Sequence, residues 1–141
     1  MASEFFNNFN NKSRWIQLFW PFLESGNTNN YVALVEMDDG TSVIMGFVHG
    51  LGPNPLHGFH IHEFGDLSDG CASVGDSFYD LGNIAADPGG NSVILITDTV
   101  KLTGDAEDSV AGRSIVIYEN AGDLGARLKC CNIRVDYIPP N

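Results

Sequence analysis

Positive charge is what this chain has least of: seven Lys and Arg stand against eighteen Asp and Glu, giving a formal net charge of −11 and a pI near 4.4. A field of that sign repels nucleic-acid phosphates and anionic membrane surfaces, so neither is an expected partner. Long apolar runs are missing too, and no stretch approaches the roughly 18–20 residues that cross a bilayer. The N-terminus has no basic segment followed by an apolar one. That argues against a secretory signal and places the expected location inside a cell or within a large assembly. With three cysteines, at most one internal bridge forms and one thiol is left over. There are no internal repeats, and 141 residues make one ordinary domain able to bury its own core.

What the chain does have is short alternating segments separated by Gly, Asn, Asp and Pro. Tyr31 to Met37 and Thr41 to Val48 flank Asp38-Asp39-Gly40, a strong short-range hairpin signal. Ser92 to Asp98, Ser114 to Tyr118 and Asn132 to Tyr137 read as further strands. Many short strands and no convincing long helix give an all-β sandwich or barrel.

The N-terminal residues 1–23 differ from the rest. Phe5, Phe6 and Phe9 stand among asparagines with no clear period, and Trp15, Phe19 and Trp20 follow. Pro21 opposes both a continuous helix and a central strand. The segment is read as an aromatic arm, with a short amphipathic stretch as one reading of residues 15–23, ahead of a barrel over 24–141. Exposed phenylalanines are an aggregation hazard unless covered, so the arm is expected to dock on a protein partner or on its own barrel. The partner is the expected outcome.

The stretch that carries chemistry is His57-Gly-Phe-His60-Ile-His62-Glu-Phe-Gly-Asp66, followed by Gly70-Cys71. In a strand, alternate residues share a face, so Phe59 and Ile61 point one way and His60 and His62 the other. Imidazoles at i and i+2 are close enough to hold one metal ion of the Cu, Zn, Ni or Fe type. Spacing alone leaves open a half-exposed strand with two unrelated histidines.

The wider string resembles the Cu/Zn superoxide dismutase family. So do Asp80-Leu-Gly-Asn83, Leu102-Thr-Gly-Asp105, Gly112-Arg113, Gly122-Asp-Leu-Gly125 and Arg127-Leu-Lys-Cys130, in the family's order from about Tyr31 to Tyr137. The resemblance implies an eight-stranded Greek-key barrel whose divergent first strand lies within residues 15–23, a disulfide between Cys71 and Cys130, and Cys131 as the leftover thiol. It matches His60 and His62 to two copper ligands, Asp80 to the zinc aspartate, His57 to a histidine that bonds backbone, and Arg127 to the arginine that holds the substrate anion.

The same comparison shows what is missing. The third copper histidine is Tyr118, in Ile117-Tyr118-Glu119. The bridging and zinc-only histidines belong to a long loop, but here Cys71 and Asp80 are nine positions apart with no histidine between them. The charged loop that guides the anion is also gone, since Leu124 and Arg127 are three positions apart, and the aspartate linking the two metal sites is Gly122. A structural zinc site wants four ligands and copper(II) three or four. The expectation is therefore no resident cofactor, with copper held weakly at most, and the metal positions and Arg127 vestigial.

Loop-shortened, ligand-poor relatives occur among large DNA viruses as virion components or decoys. That implies a non-catalytic barrel with a structural or protein-binding role. The enzyme alternative is a residual copper-dependent dismutase or redox protein using His60, His62 and Arg127. A copper-chaperone-like module is a third reading, weakened by the absence of a C-x-x-C metal-binding domain. The family's usual homodimer is not expected, because Arg134 and Asp136 put charges where relatives bury small or apolar residues.

Overall fold

The fold is a sandwich of two antiparallel sheets, seen in a computed structural model that describes residues 13–19, 30–102 and 104–137. The strands in chain order are β1 (Ser13–Phe19), β2 (Tyr31–Met37), β3 (Ser42–Val48), β4 (Leu56–His62), β5 (Ser68–Cys71), β6 (Ser77–Ala85), β7 (Ser92–Asp98), β8 (Ser114–Tyr118), β9 (Arg127–Asn132) and β10 (Val135–Tyr137). One sheet runs β10-β1-β2-β3-β7 and the other β6-β4-β8-β9. Among the described residues, no helix is long and apolar enough to cross a membrane.

The β2–β3 hairpin turns at Gly40, whose φ of 87° lies in the left-handed region that glycine enters without a Cβ penalty. Alternation then builds the core. Val32, Leu34, Ile44 and Ile94 of the first sheet meet Phe59, Ile61, Ile115 and Ile117 of the second, with Leu102, Val110 and Ile133 closing the end. Each of these is nearly or fully buried, contributing roughly 1.5–3 kcal/mol by removal from water.

Two local features depart from the sequence reading. Residues 77–85 form β6, the edge partner of the histidine strand, although its mixed polar composition and Gly82 hid it from pattern reading. The run from Asn132 to Tyr137 is not one strand. Gly112 donates to the Ile133 carbonyl and Ile133 to the Arg113 carbonyl, which ends β9, and β10 then pairs with β1 of the other sheet. Trp15 and Phe19 lie in β1, which pairs with β2 and β10 as part of the sheet. Phe5, Phe6, Phe9 and Trp20 lie outside the described residues.

Candidate functional site

β4 places the histidines. Phe59 and Ile61 point into the intersheet core, and His60 and His62 point to the opposite side of the strand. That side is not half-exposed: His60 is 5% and His62 1% accessible. The segment 63–76 closes the rim, with Glu63 N–H donating to Asp76 O and Phe64 N–H to Val74 O. Beneath it Val74, Val116, Tyr118 and Cys130 form a second apolar cluster, with Leu67 and Cys71 packed against it.

The Cys71–Cys130 disulfide ties this segment to β9. Arg127 reinforces the tie. Its Nη1 donates to the Cys71 carbonyl at 2.9 Å and its Nη2 to the Gly75 carbonyl at 3.1 Å. Its guanidinium lines an open groove with Asp69, Gly70, Cys71 and Ala72. Cys131, on the opposite face of β9, is the free thiol. It is buried in the intersheet core, and burial pushes it well above the ordinary thiol range.

The sharpest contact is at His62. Its Nδ1 bonds the Gly75 carbonyl at 2.9 Å, which makes Nδ1 the protonated nitrogen and leaves a lone pair on Nε2. Tyr118 donates its hydroxyl to that nitrogen at 2.8 Å. The residue standing where a third imidazole would be thus occupies the lone pair with which His62 would bind a metal. Tyr118 is nearly buried, and burial pushes its phenol above the usual tyrosine value while the nearby Arg127 charge opposes the shift. Tyr118 is therefore a neutral donor at neutral pH, and not a phenolate ligand.

His60 pairs in register with Asp80 across β4 and β6. Its Nε2 lies 3.2 Å from Asp80 Oδ1, close enough for an ion pair when the ring is protonated but out of line for a hydrogen bond. Its Nδ1 faces the Ser77 hydroxyl at a long 3.4 Å. His57 bonds backbone, with its ring nitrogens 2.8 Å from the Tyr118 carbonyl and 3.0 Å from the Asn54 carbonyl. His49 is half-buried beside Phe47.

Zinc does not fit this donor set, because Asp80 is joined by His60 and by no other ligand of the family pattern. Among the described residues no group of three or more His, Cys, Asp or Glu is placed to hold a metal ion. Copper fits poorly as arranged, since one of its two imidazoles is engaged by Tyr118. Pattern reading missed Ser77 and the pairing of Asp80 with His60, because both depend on the register of β6 against β4.

The Tyr118–His62 bond needs a neutral imidazole, which fixes its pH dependence. Burial holds the His62 ring below the ordinary value of 6.5, against the opposing hydrogen bond to Gly75. The unfolded chain therefore takes up this proton before the folded one does. The stabilisation is complete above about 6.5 and is lost as pH falls from there through the folded value. Melting temperatures recorded from about pH 7.5 down to pH 5 should decline, and the decline should be shallower in His62→Gln.

The comparisons agree with the fold. The copper/zinc superoxide dismutase (SODC) family model matches residues 29–133. The extracellular Cu-Zn superoxide dismutase of Haemonchus contortus is 41% identical over 123 residues, covering 73% of this chain and 66% of that protein. That of Brugia pahangi is 36% identical over 120 residues, covering 72% and 58%. The chain thus spans about three fifths to two thirds of these relatives' length. The crystal structure of the clock protein EA4 superposes with a TM-score of 0.70 at 28% identity, covering 90% of this chain and 97% of that one. Both curated relatives are named as enzymes and as extracellular, which corrects the expectation of an intracellular or assembly-enclosed protein: the similarity points to secretion. The earlier expectation rested on the first residues alone, whereas a disulfide such as Cys71–Cys130 persists best in an oxidising compartment. By family match, sheet architecture and retained motifs together, the chain belongs to the copper/zinc superoxide dismutase family.

Proposed function

We propose that this chain is a superoxide dismutase-fold protein that does not turn over superoxide and serves as a structural or protein-binding barrel. The observation that carries the reading is the 2.8 Å bond from the Tyr118 hydroxyl to His62 Nε2. It satisfies the metal-binding lone pair from within the fold, so copper must displace an internal hydrogen bond to gain its second imidazole. The disulfide and the Arg127 bonds keep the surrounding frame without needing a metal. A second reading, residual copper-dependent redox chemistry, is favoured by the relatives' names and by Arg127 standing near His62.

Metal content separates the two. Protein produced with copper and zinc supplied, then dialysed against a chelator, should retain well under one equivalent of zinc and no tightly held copper. It should consume superoxide no faster than the metal-free control. One equivalent of copper surviving dialysis, together with accelerated superoxide loss, would replace the first reading with the second.

A further inference from the structure

Two tyrosine hydroxyls donate to basic groups, one in the open and one enclosed. Tyr79, which is 38% exposed, donates to Asp98 Oδ1 at 2.7 Å. Tyr118, which is 6% exposed, donates to His62 Nε2 at 2.8 Å, and Val74, Val116 and Cys130 pack around it. The enclosed pair is anchored on its far side as well. His62 Nδ1 donates to the Gly75 carbonyl, so the imidazole can take a second proton at Nε2 without giving up that bond. Arg127 bears on the phenol and also lines the open groove with Asp69 to Ala72, which puts the Tyr118 ring within one side chain of solvent.

We infer that Tyr118 and His62 form a proton-coupled electron donor, through which the fold gives one electron to a small outer-sphere oxidant in solution. One electron leaves the Tyr118 ring for the oxidant, the phenolic O–H bond breaks, and its proton forms an N–H bond at His62 Nε2. The products are a neutral tyrosyl radical, a His62 imidazolium and the oxidant reduced by one electron. An oxidised phenol is a very strong acid, and a base already at hydrogen-bond distance lets proton and electron move together without reorganising solvent. The imidazolium is favoured by the Gly75 carbonyl and by Asp76, and opposed by the Arg127 charge. Burial sets the class of oxidant: a reagent that must touch the phenol oxygen to remove a hydrogen atom has no access, whereas an electron crosses one side chain readily. Burial also sets the fate of the radical. It cannot couple with a second phenol, the ordinary end of a radical on an exposed residue such as Tyr79. The inference rests on the copper-free reading of His62, because a metal on Nε2 would stand where the proton goes.

The full chain, stripped of metal by chelator dialysis, is mixed with hexachloroiridate(IV) and frozen at intervals for electron paramagnetic resonance. A tyrosyl spectrum should appear and persist after that of the urea-unfolded chain has gone. Tyr118→Phe should abolish the persistent signal. Tyr31→Phe/Tyr79→Phe/Tyr137→Phe, which leaves Tyr118 as the one tyrosine, should keep it, and carries the test if Tyr118→Phe does not fold. His62→Gln should slow formation of the radical roughly 100-fold, the loss expected for a positioned base. A persistent signal in folded Tyr118→Phe, its absence from the triple variant, or an unchanged rate in His62→Gln overturns the inference. Copper separates this result from the reading beneath it. A metal-free parent without a persistent signal sinks the donor pair alone. One equivalent of tightly bound copper that abolishes a signal seen in the metal-free parent sinks the copper-free reading, and leaves the donor pair of the metal-free chain standing.

Discussion

Replacing Cys71 and Cys130 together by alanine is expected to lower the melting temperature by about 10–15 °C, measured by calorimetry under oxidising conditions. The two cysteines are 59 positions apart, so the bridge closes a long loop. In the chain-entropy model such a closure destabilises the unfolded state by about 4 kcal/mol. For a domain of this size that energy corresponds to the stated shift. The loss should not be confined to the unfolded ensemble. Cys71 sits on β5, whose carbonyl accepts from Arg127, and Gly75 further along accepts from both Arg127 and His62. Without the bridge, the amides of 63–76 should exchange with solvent faster than those of β4. Adding a reductant to the parent should reproduce both effects. A shift below about 3 °C would mean that the apolar cluster around Val74 and Val116 holds the segment unaided.

The second large effect is a gain. Tyr118→His removes the phenol that occupies His62 Nε2 and adds a third imidazole to the same buried face. The Tyr118 ring centre lies 5.2 Å from that of His60 and 5.8 Å from that of His62, so the new side chain enters the space between them. Copper(II) affinity should rise at least about 100-fold, since a direct ligand is worth no less than the outer partners that shift affinity 10–100-fold. One equivalent of copper with a tetragonal, nitrogen-coordinated paramagnetic spectrum is the expected readout. Zinc content should not change, because nothing is added near Asp80. Tyr118→Phe is the control. It leaves a buried nitrogen unpartnered at a cost of about 1–3 kcal/mol and supplies no ligand, so it should destabilise without recruiting copper. If Tyr118→His binds copper no better than the parent, the tyrosine is not what closes the position.

Much of the fold was legible because a strand reports itself locally. The alternation around Asp38-Asp39-Gly40 gave β2 and β3, and the runs at 92–98 and 114–118 gave β7 and β8. The strand β6 was not legible. It is an edge strand with exposed polar positions, and its identity comes from pairing with β4 and not from its own composition. Reading 132–137 as one strand failed for a related reason. The alternation is present, but the Ile133–Arg113 and Gly112–Ile133 bonds divide the run between two sheets, and such long-range bonds leave no local period.

At the site, the residues alone set the inventory. The i, i+2 spacing put His60 and His62 on one side of a strand, and the family resemblance showed the zinc-bearing loop missing and a tyrosine in place of a third imidazole. Composition and spacing are properties of the chain, and no folding event changes them. The tertiary structure decided how those residues are used. It buried both histidines, turned the Tyr118 hydroxyl onto His62 Nε2 and set Asp80 across from His60. Each of these depends on which strands pair, in which register, and on which loop returns over the sheet. Those choices bring together residues 20 to 56 positions apart through the free energy of the whole assembled fold, which no local pattern contains.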